Sequence, residues 1–183
     1  MNILGALLTI LGITMVMPIF ISIGYDEYDF YGFLYSSVIC ISIGVPVWFI
    51  TRRNKSLTNR DGFAVVTFSW ILAAVAGALP FYLSGAIPNL TDAFFESMSG
   101  ITTTGATVIT GLDELPRSLL FYRQLLQWLG GMGIIVLAVA VLPLLGIGGM
   151  QLYKAETPGP LKDTKLTPRI TETAKALWYV YLT

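Results

Sequence analysis

The run Thr102-Thr103-Thr104-Gly105 holds the residue types with the clearest chemical use in this chain. Backbone carbonyls turned toward one axis can replace the water shell of a cation. Such a turn needs unusual dihedrals at some position, and Gly105 alone supplies them without a Cβ penalty. The threonine hydroxyls can tie the loop to surrounding helices or add an oxygen at its inner end. No carboxylate lies within 102–107, which suits a large monovalent cation better than a divalent one that prefers charged oxygens. Read from these residues alone, a plain turn packed against its neighbours is an equal alternative.

The flanking residues favour the first reading. Residues 89–107 read as a short helix followed by a non-helical loop, too polar and too interrupted to span a bilayer. Membranes tolerate such backbone only where protein or a water-filled cavity surrounds it. The short helix is expected over about 91–100, with Thr91 or Asp92 as its cap and Ser99-Gly100 as its stop. Asp92 and Glu96 lie in its first turns near the positive end, and no basic residue occurs from Asp92 to Gly111. Its other end then presents roughly half a negative charge toward a cavity that could hold a cation. An ordinary loop has no need of a capped half-helix of this length.

The elements that must hold this loop are apolar. The chain is 55% hydrophobic and 12% charged, with mean hydropathy +0.72, outside the soluble globular range. Residues 3–23, 30–51, 62–91 and 124–153 carry no charge, and about 20 apolar residues cross the hydrocarbon core. The expected class is an all-α polytopic membrane protein. Its first helix runs over about 3–23 with a kink at Pro18, its second over 31–50 with Pro46 inside, its third over 63–83. The fourth begins near Leu119, and its long uncharged run predicts tilt or a break, with an exit near Pro143 or the glycines Gly146, Gly148 and Gly149. Gly130, Gly131 and Gly133 read as close helix packing. Arg123 is expected to pair with Glu96 or Asp113 behind the loop rather than to touch an ion, because a guanidinium beside a cation path would repel it.

Charge sets the expected topology. Arg52, Arg53, Lys55 and Arg60 form one basic cluster, and Lys154, Lys162, Lys165, Arg169 and Lys175 another. The positive-inside rule places both in the cytoplasm, so the N-terminus is cytoplasmic and the 102–107 loop enters from outside. The acidic turn with Asp26, Glu27 and Asp29 then faces outward, and its aromatic residues suit an interfacial belt. Basic residues followed by an apolar run at the end of the chain read as the start of another helix, so the sequence is expected to be a piece of a longer protein; a short amphipathic tail on the membrane surface is the alternative.

Other chemistries find little footing. The chain has no His and one Cys, which removes the usual proton relay, the Ser-His and Cys-His nucleophile pairs and most zinc sites. Cys40 lies in an apolar run and reads as an inert thiol. No complete phosphate-binding glycine pattern follows a strand, and Asn89-Leu90-Thr91 matches a glycosylation acceptor of a kind common by chance. No enzyme activity and no cofactor are expected, and a net charge of zero gives no argument for nucleic acid.

The segments ESMSGITTTGATV, FYRQLLQWLGGMGIIVLAVAVLPLLGIGGMQLYKAE and TPGPLKDTKLTPRITETAKALW resemble the Trk potassium-uptake family, in its TrkH/TrkG-type membrane subunits. The likeness covers essentially the whole chain. It implies an N-terminal transmembrane hairpin at 1–51, a basic cytoplasmic loop at 52–62, a first helix–pore loop–helix repeat at 63–150, a cytoplasmic linker at 151–170 and the start of the next repeat at 171–183. Four non-identical repeats surround one ion path in this family. The family's filter motif falls on Thr103, Thr104, Gly105 and Ala106, whose carbonyls would bind potassium, Thr103 and Thr104 most directly. Thr102, Thr107, Glu96 and Gly100 would support them. Thr107 stands where a potassium channel often has a second filter glycine, which implies a less regular outer filter.

The resemblance thus implies potassium uptake across the bacterial inner membrane, with K+ as the transported ion. It implies a homodimeric transporter in membrane lipid, joined to the remaining repeats of the full-length protein and to a cytoplasmic TrkA-type nucleotide-binding regulator. Two alternatives stand beside it: a homotetrameric channel built from four copies of this chain, and a non-transporting membrane scaffold subunit.

Overall fold

A computed structural model describes residues 2–51, 59–141 and 179–181. The basic clusters expected at 52–60 and 154–175, apart from Arg60, lie outside the described residues, as do the expected exit at Pro143 and the linker at 151–170. Among the described residues every regular element is a helix: α1 (Asn2–Thr14), α2 (Val16–Tyr25), α3 (Phe30–Thr51), α4 (Asn59–Leu83), α5 (Leu90–Ile101) and α6 (Arg117–Val141), with a 3-10 turn at Leu112–Glu114. Among the described residues three stretches, Ile3–Tyr25, Phe30–Thr51 and Ala64–Leu83, are long and apolar enough to cross a membrane.

Two compact units divide the chain, Met1–Trp128 and Leu129–Thr183. In the second, the described residues comprise the C-terminal part of α6 and a helical turn at 179–181.

The kink expected at Pro18 appears one turn earlier, as a break at Met15 between α1 and α2. A proline has no N–H for the carbonyl four residues back, and its ring crowds that carbonyl. For Pro18 that residue is Thr14, where α1 ends. The Thr14 hydroxyl donates to Leu11 O at 2.8 Å, a carbonyl that also accepts from Met15 N at 3.2 Å. Pro46 and Pro80, by contrast, sit within continuous helices.

Small residues set the helix crossings. A Cβ on Gly5 would stand 2.6 Å from the backbone N of Trp48 and 3.0 Å from Gly44 O, so α1 and α3 touch backbone to backbone there. One Cβ on Gly32 would stand 2.7 Å from Ser84 N, at the end of α4. Ser37 adds a hydrogen bond from α3 to Gly12 O of α1 at 2.7 Å. With lipid as apolar as the side chains, such close approach and interhelical hydrogen bonds drive association.

Three aromatic rings join α3, α4 and α6. Tyr122 meets Phe33 edge-on at 5.3 Å and Phe81 at 5.3 Å between ring centroids, and all three are buried. Its hydroxyl donates to Gly77 O at 3.1 Å, which satisfies the one polar atom in the cluster.

Candidate functional site

Helix α5 is the short helix before the threonine run. Its 12 residues reach about 18 Å at 1.5 Å per residue, too short to cross a bilayer. The cap is Asn89, not Thr91 or Asp92: its side chain accepts from Thr91 N at 3.0 Å, and its extended backbone lets Asn89 O accept from Ala93 N. Ser97 and Gly100 lie on its packed face. A Cβ on Gly77 of α4 would collide with Ser97, and one on Gly100 would stand 3.3 Å from Leu126 of α6.

The helix does not stop at Ser99-Gly100. It continues to Ile101 and ends in a Schellman motif. Thr103 N donates to Gly100 O at 2.9 Å and Thr104 N to Ser99 O at 3.0 Å, the two crossed bonds that define this cap. The position requiring positive φ is normally glycine; here it is Thr103, at φ 58°. Gly105 also has positive φ, 75°. Two residues therefore carry the unusual dihedrals, where the sequence pointed to Gly105 alone. A β-branched residue in this region is an outlier that the surroundings must hold in place.

This winding fixes the direction of the peptide groups. The N–H groups of Thr102, Thr103, Thr104 and Gly105 all turn back onto carbonyls of Met98, Ser99 and Gly100. Among the described residues no donor falls on the carbonyl oxygens of Thr103, Thr104 or Gly105. Thr102 Oγ1 donates to Met98 O at 2.7 Å and lies 2.8 Å from Thr104 Oγ1. Residues 103–108 are exposed.

Beyond Gly105 the loop is held by side chains of α5. Ser99 Oγ donates to Ala106 O at 2.6 Å, so the Ala106 carbonyl, expected to be available to an ion, already has one partner. Glu96 Oε2 accepts from Thr107 Oγ1 at 2.9 Å and from Val108 N at 3.2 Å. Its other oxygen takes a hydrogen bond and ion pair from Arg123 Nε. Glu96 is 1% exposed and Arg123 9%. A carboxylate so buried must have its charge matched and its lone pairs filled, and both conditions are met here. Of the two partners expected for Arg123, Glu96 is the one observed; Asp113 is exposed in the 3-10 turn.

The site contains residues that the sequence does not single out. In the sequence Ser99 reads only as part of a helix stop, yet it lies three residues from Glu96, on the same helical face. The acidic turn between α2 and α3 is another. Helix α6 begins just after Pro116, whose carbonyl accepts from Leu120 N and whose side chain cannot cap. The cap comes from Glu27 instead: Oε1 accepts from Arg117 N at 2.7 Å and Oε2 from Ser118 N at 3.0 Å. The Ser118 hydroxyl lies within hydrogen-bond reach of both Glu27 and buried Asp29. Ser22 donates to Asp29 Oδ1 at 2.7 Å. Arg117 in turn lies over the Tyr25 ring at 4.4 Å. Burial raises the Glu27 pKa, but the Ser118 hydroxyl, the Ser118 and Arg117 amides and the Arg117 charge outweigh it and hold the carboxyl below its ordinary value. The only sequence signal was a helix start without a local cap.

Comparison with known proteins places this architecture. Residues 32–183 match the family model described as TrkH, cation transport protein. The Trk system potassium uptake protein TrkH of Vibrio parahaemolyticus is 56% identical over 99% of this chain, and that of Escherichia coli K12 is 52% identical over 99%. TrkG of Escherichia coli K12 is 47% identical over 97%. The chain spans 38% of the length of the two TrkH relatives and 37% of TrkG. The crystal structure of the potassium transporter TrkH from Vibrio parahaemolyticus superposes with a TM-score of 0.81 at 49% identity, covering 99% of this chain and 36% of that one. A transport family, not an enzyme family, thus accounts for the apolar helices and the short helix with its threonine loop: the chain belongs to the TrkH family of cation transport proteins.

Proposed function

We propose that this chain supplies one wall of a potassium-selective ion path in a transporter of the bacterial inner membrane. The carrying observation is the loop itself. Its amides turn back onto α5, leaving the carbonyls of Thr103, Thr104 and Gly105 without a protein donor among the described residues. A row of such oxygens beside the negative end of a half-helix is the chemistry that replaces water around a large monovalent cation. In this reading Thr103, Thr104, Gly105 and Ala106 form the filter segment, with Ala106 anchored on Ser99. Thr102, Thr107, Glu96 and Gly100 hold it from behind. The names of the TrkH and TrkG relatives, potassium uptake proteins, support K+ as the transported ion.

The hairpin at 1–51, the repeat at 63–150 and a further repeat beginning at 171–183 follow as the domain plan. The N-terminus is cytoplasmic and the loop enters from outside, by the positive-inside argument. Three more filter segments come from the rest of the full-length protein, which acts as a homodimer with a TrkA-type nucleotide-binding regulator. Membrane potential drives entry at about 2.3 kcal/mol per charge per 100 mV, and about 1.4 kcal/mol is a factor of ten. Roughly 150 mV therefore sustains a few-hundred-fold accumulation.

The test is Gly105→Ser in a full-length Trk chain carrying these residues. A Cβ at Gly105 meets nothing within 4 Å among the described residues of this chain, and at φ 75° a side chain strains the backbone, so within this segment the substitution acts on backbone conformation. A changed rubidium-to-sodium uptake ratio is expected. Unchanged rubidium uptake together with an unchanged ratio would sink the assignment.

A further inference from the structure

We infer that Glu27, in the turn between α2 and α3, is a positioning residue for the loop at 102–108 and acts on it through α6. The inference rests on the ion-path reading above and extends it to the hairpin, where Glu27 lies 76 residues before Thr103.

The links are all hydrogen bonds to carboxylates or stretches of helix. Glu27 holds the first two free N–H groups of α6, at Arg117 and Ser118. Pro116 gives this helix no cap of its own, and Asp113 and Glu114 are exposed. Five residues on, about 7.5 Å along the helix, Arg123 reaches Glu96. The other oxygen of Glu96 holds Thr107 and Val108. Arg123 therefore fixes where Glu96 stands, and the cap fixes how the first turns of α6 stand.

A bidentate carboxylate on two backbone N–H groups is a demanding contact. With Glu27→Gln, the amide oxygen can accept from one of them, while its NH2 group opposes the other donor. The charge favoured at a helix N-terminus is also lost. The first turn of α6 then loosens, and Arg123 with it. A double-mutant cycle measures the coupling directly.

In a full-length Trk chain carrying these residues, the rubidium-to-sodium uptake ratio is measured for the parent, Glu27→Gln, Arg123→Gln and the double variant. Melting temperature and amount in the membrane are recorded alongside. The expected result is a fall in the ratio of about twofold to thirtyfold for Glu27→Gln, the range seen along coupled routes. In the Arg123→Gln background the same substitution should lower the ratio no further. An unchanged ratio with a lowered melting temperature would make Glu27 a structural cap only and overturn the inference. Fully multiplicative effects would overturn it too, since Glu27 would then act by a route that bypasses Arg123. Glu27→Asp keeps the charge but shortens the reach by one methylene, and carries the same cycle if Glu27→Gln does not reach the membrane. A parent-like ratio for Glu27→Asp would count against the inference. Gly105→Ser separates the two readings. If it leaves both rubidium uptake and the ratio unchanged, the filter assignment fails; if it shifts the ratio and the Glu27 variants do not, only the role of Glu27 fails.

Discussion

Glu96→Gln separates the two jobs of the buried carboxylate. The oxygen of the substituted amide can take the place of Oε2 and keep both loop bonds, from Thr107 Oγ1 and Val108 N. Its NH2 group then faces Arg123, which is 9% exposed and left with a buried, uncompensated charge. Breaking one side of a buried pair costs about 3–5 kcal/mol. Glu96→Ala would add the loss of two loop bonds to a charged acceptor, each about 1.5–3 kcal/mol, a total few folded proteins survive. The double variant Glu96→Gln/Arg123→Gln should recover most of the loss. A neutral amide pair replaces the ion pair, and stability should return to within about 1.5 kcal/mol of the parent. With each single variant costing about 3–5 kcal/mol, the expected coupling is then at least about 4.5 kcal/mol. Unfolding of the four purified full-length proteins in detergent measures it, and the rubidium-to-sodium ratio of the double variant should stay near the parent's because the loop bonds survive. A cost below about 1 kcal/mol for Glu96→Gln, or a double variant as unstable as the sum of the singles, would refute the buried-pair argument.

Thr103→Gly should raise stability slightly while lowering ion selectivity. Relieving the strain of the left-handed region gains about 1–2 kcal/mol, against about 0.5–1 kcal/mol of added chain entropy for glycine. An unfolding measurement showing marked destabilisation would contradict strain at Thr103. Acid should weaken the Glu27 cap. Its carboxyl is held below the ordinary value, so its contribution is present above the unfolded-state pKa and is lost as pH falls through the lowered folded-state pKa. The melting-temperature gap between parent and Glu27→Gln should therefore be full at neutral pH and shrink below the usual glutamate range; a gap independent of pH would exclude a charged cap. Gly5→Ala should cost about 1–3 kcal/mol by forcing α1 off α3, since the new Cβ meets Trp48 N at 2.6 Å. A parent-like melting curve would show that the helices can part freely.

The sequence by itself determined the class of the protein and the outline of its candidate site. Uncharged runs of bilayer length announce spanning helices, because every backbone polar group in lipid must be bonded within its own segment. A polar interval between two such runs, with acids early and Thr/Gly late, marked the half-helix and its loop. The long motifs carried the family, and the charge of Arg123 in an apolar helix demanded a partner, which proved to be one of the two expected, Glu96. These features are local or compositional, so they survive in one dimension. Only the tertiary structure decided the rest. Asn89 caps α5 instead of Thr91 or Asp92, a choice among adjacent competent residues that depends on backbone dihedrals. Pro18 breaks the first span at Met15, through a carbonyl one turn back. Thr103 holds positive φ in a place where glycine is usual, because the Schellman bonds and the ties of Ser99 and Glu96 outweigh its strain. And α6 takes its cap from Glu27, 90 residues away from Arg117, a pairing no local pattern encodes because the proline before the helix only leaves the vacancy.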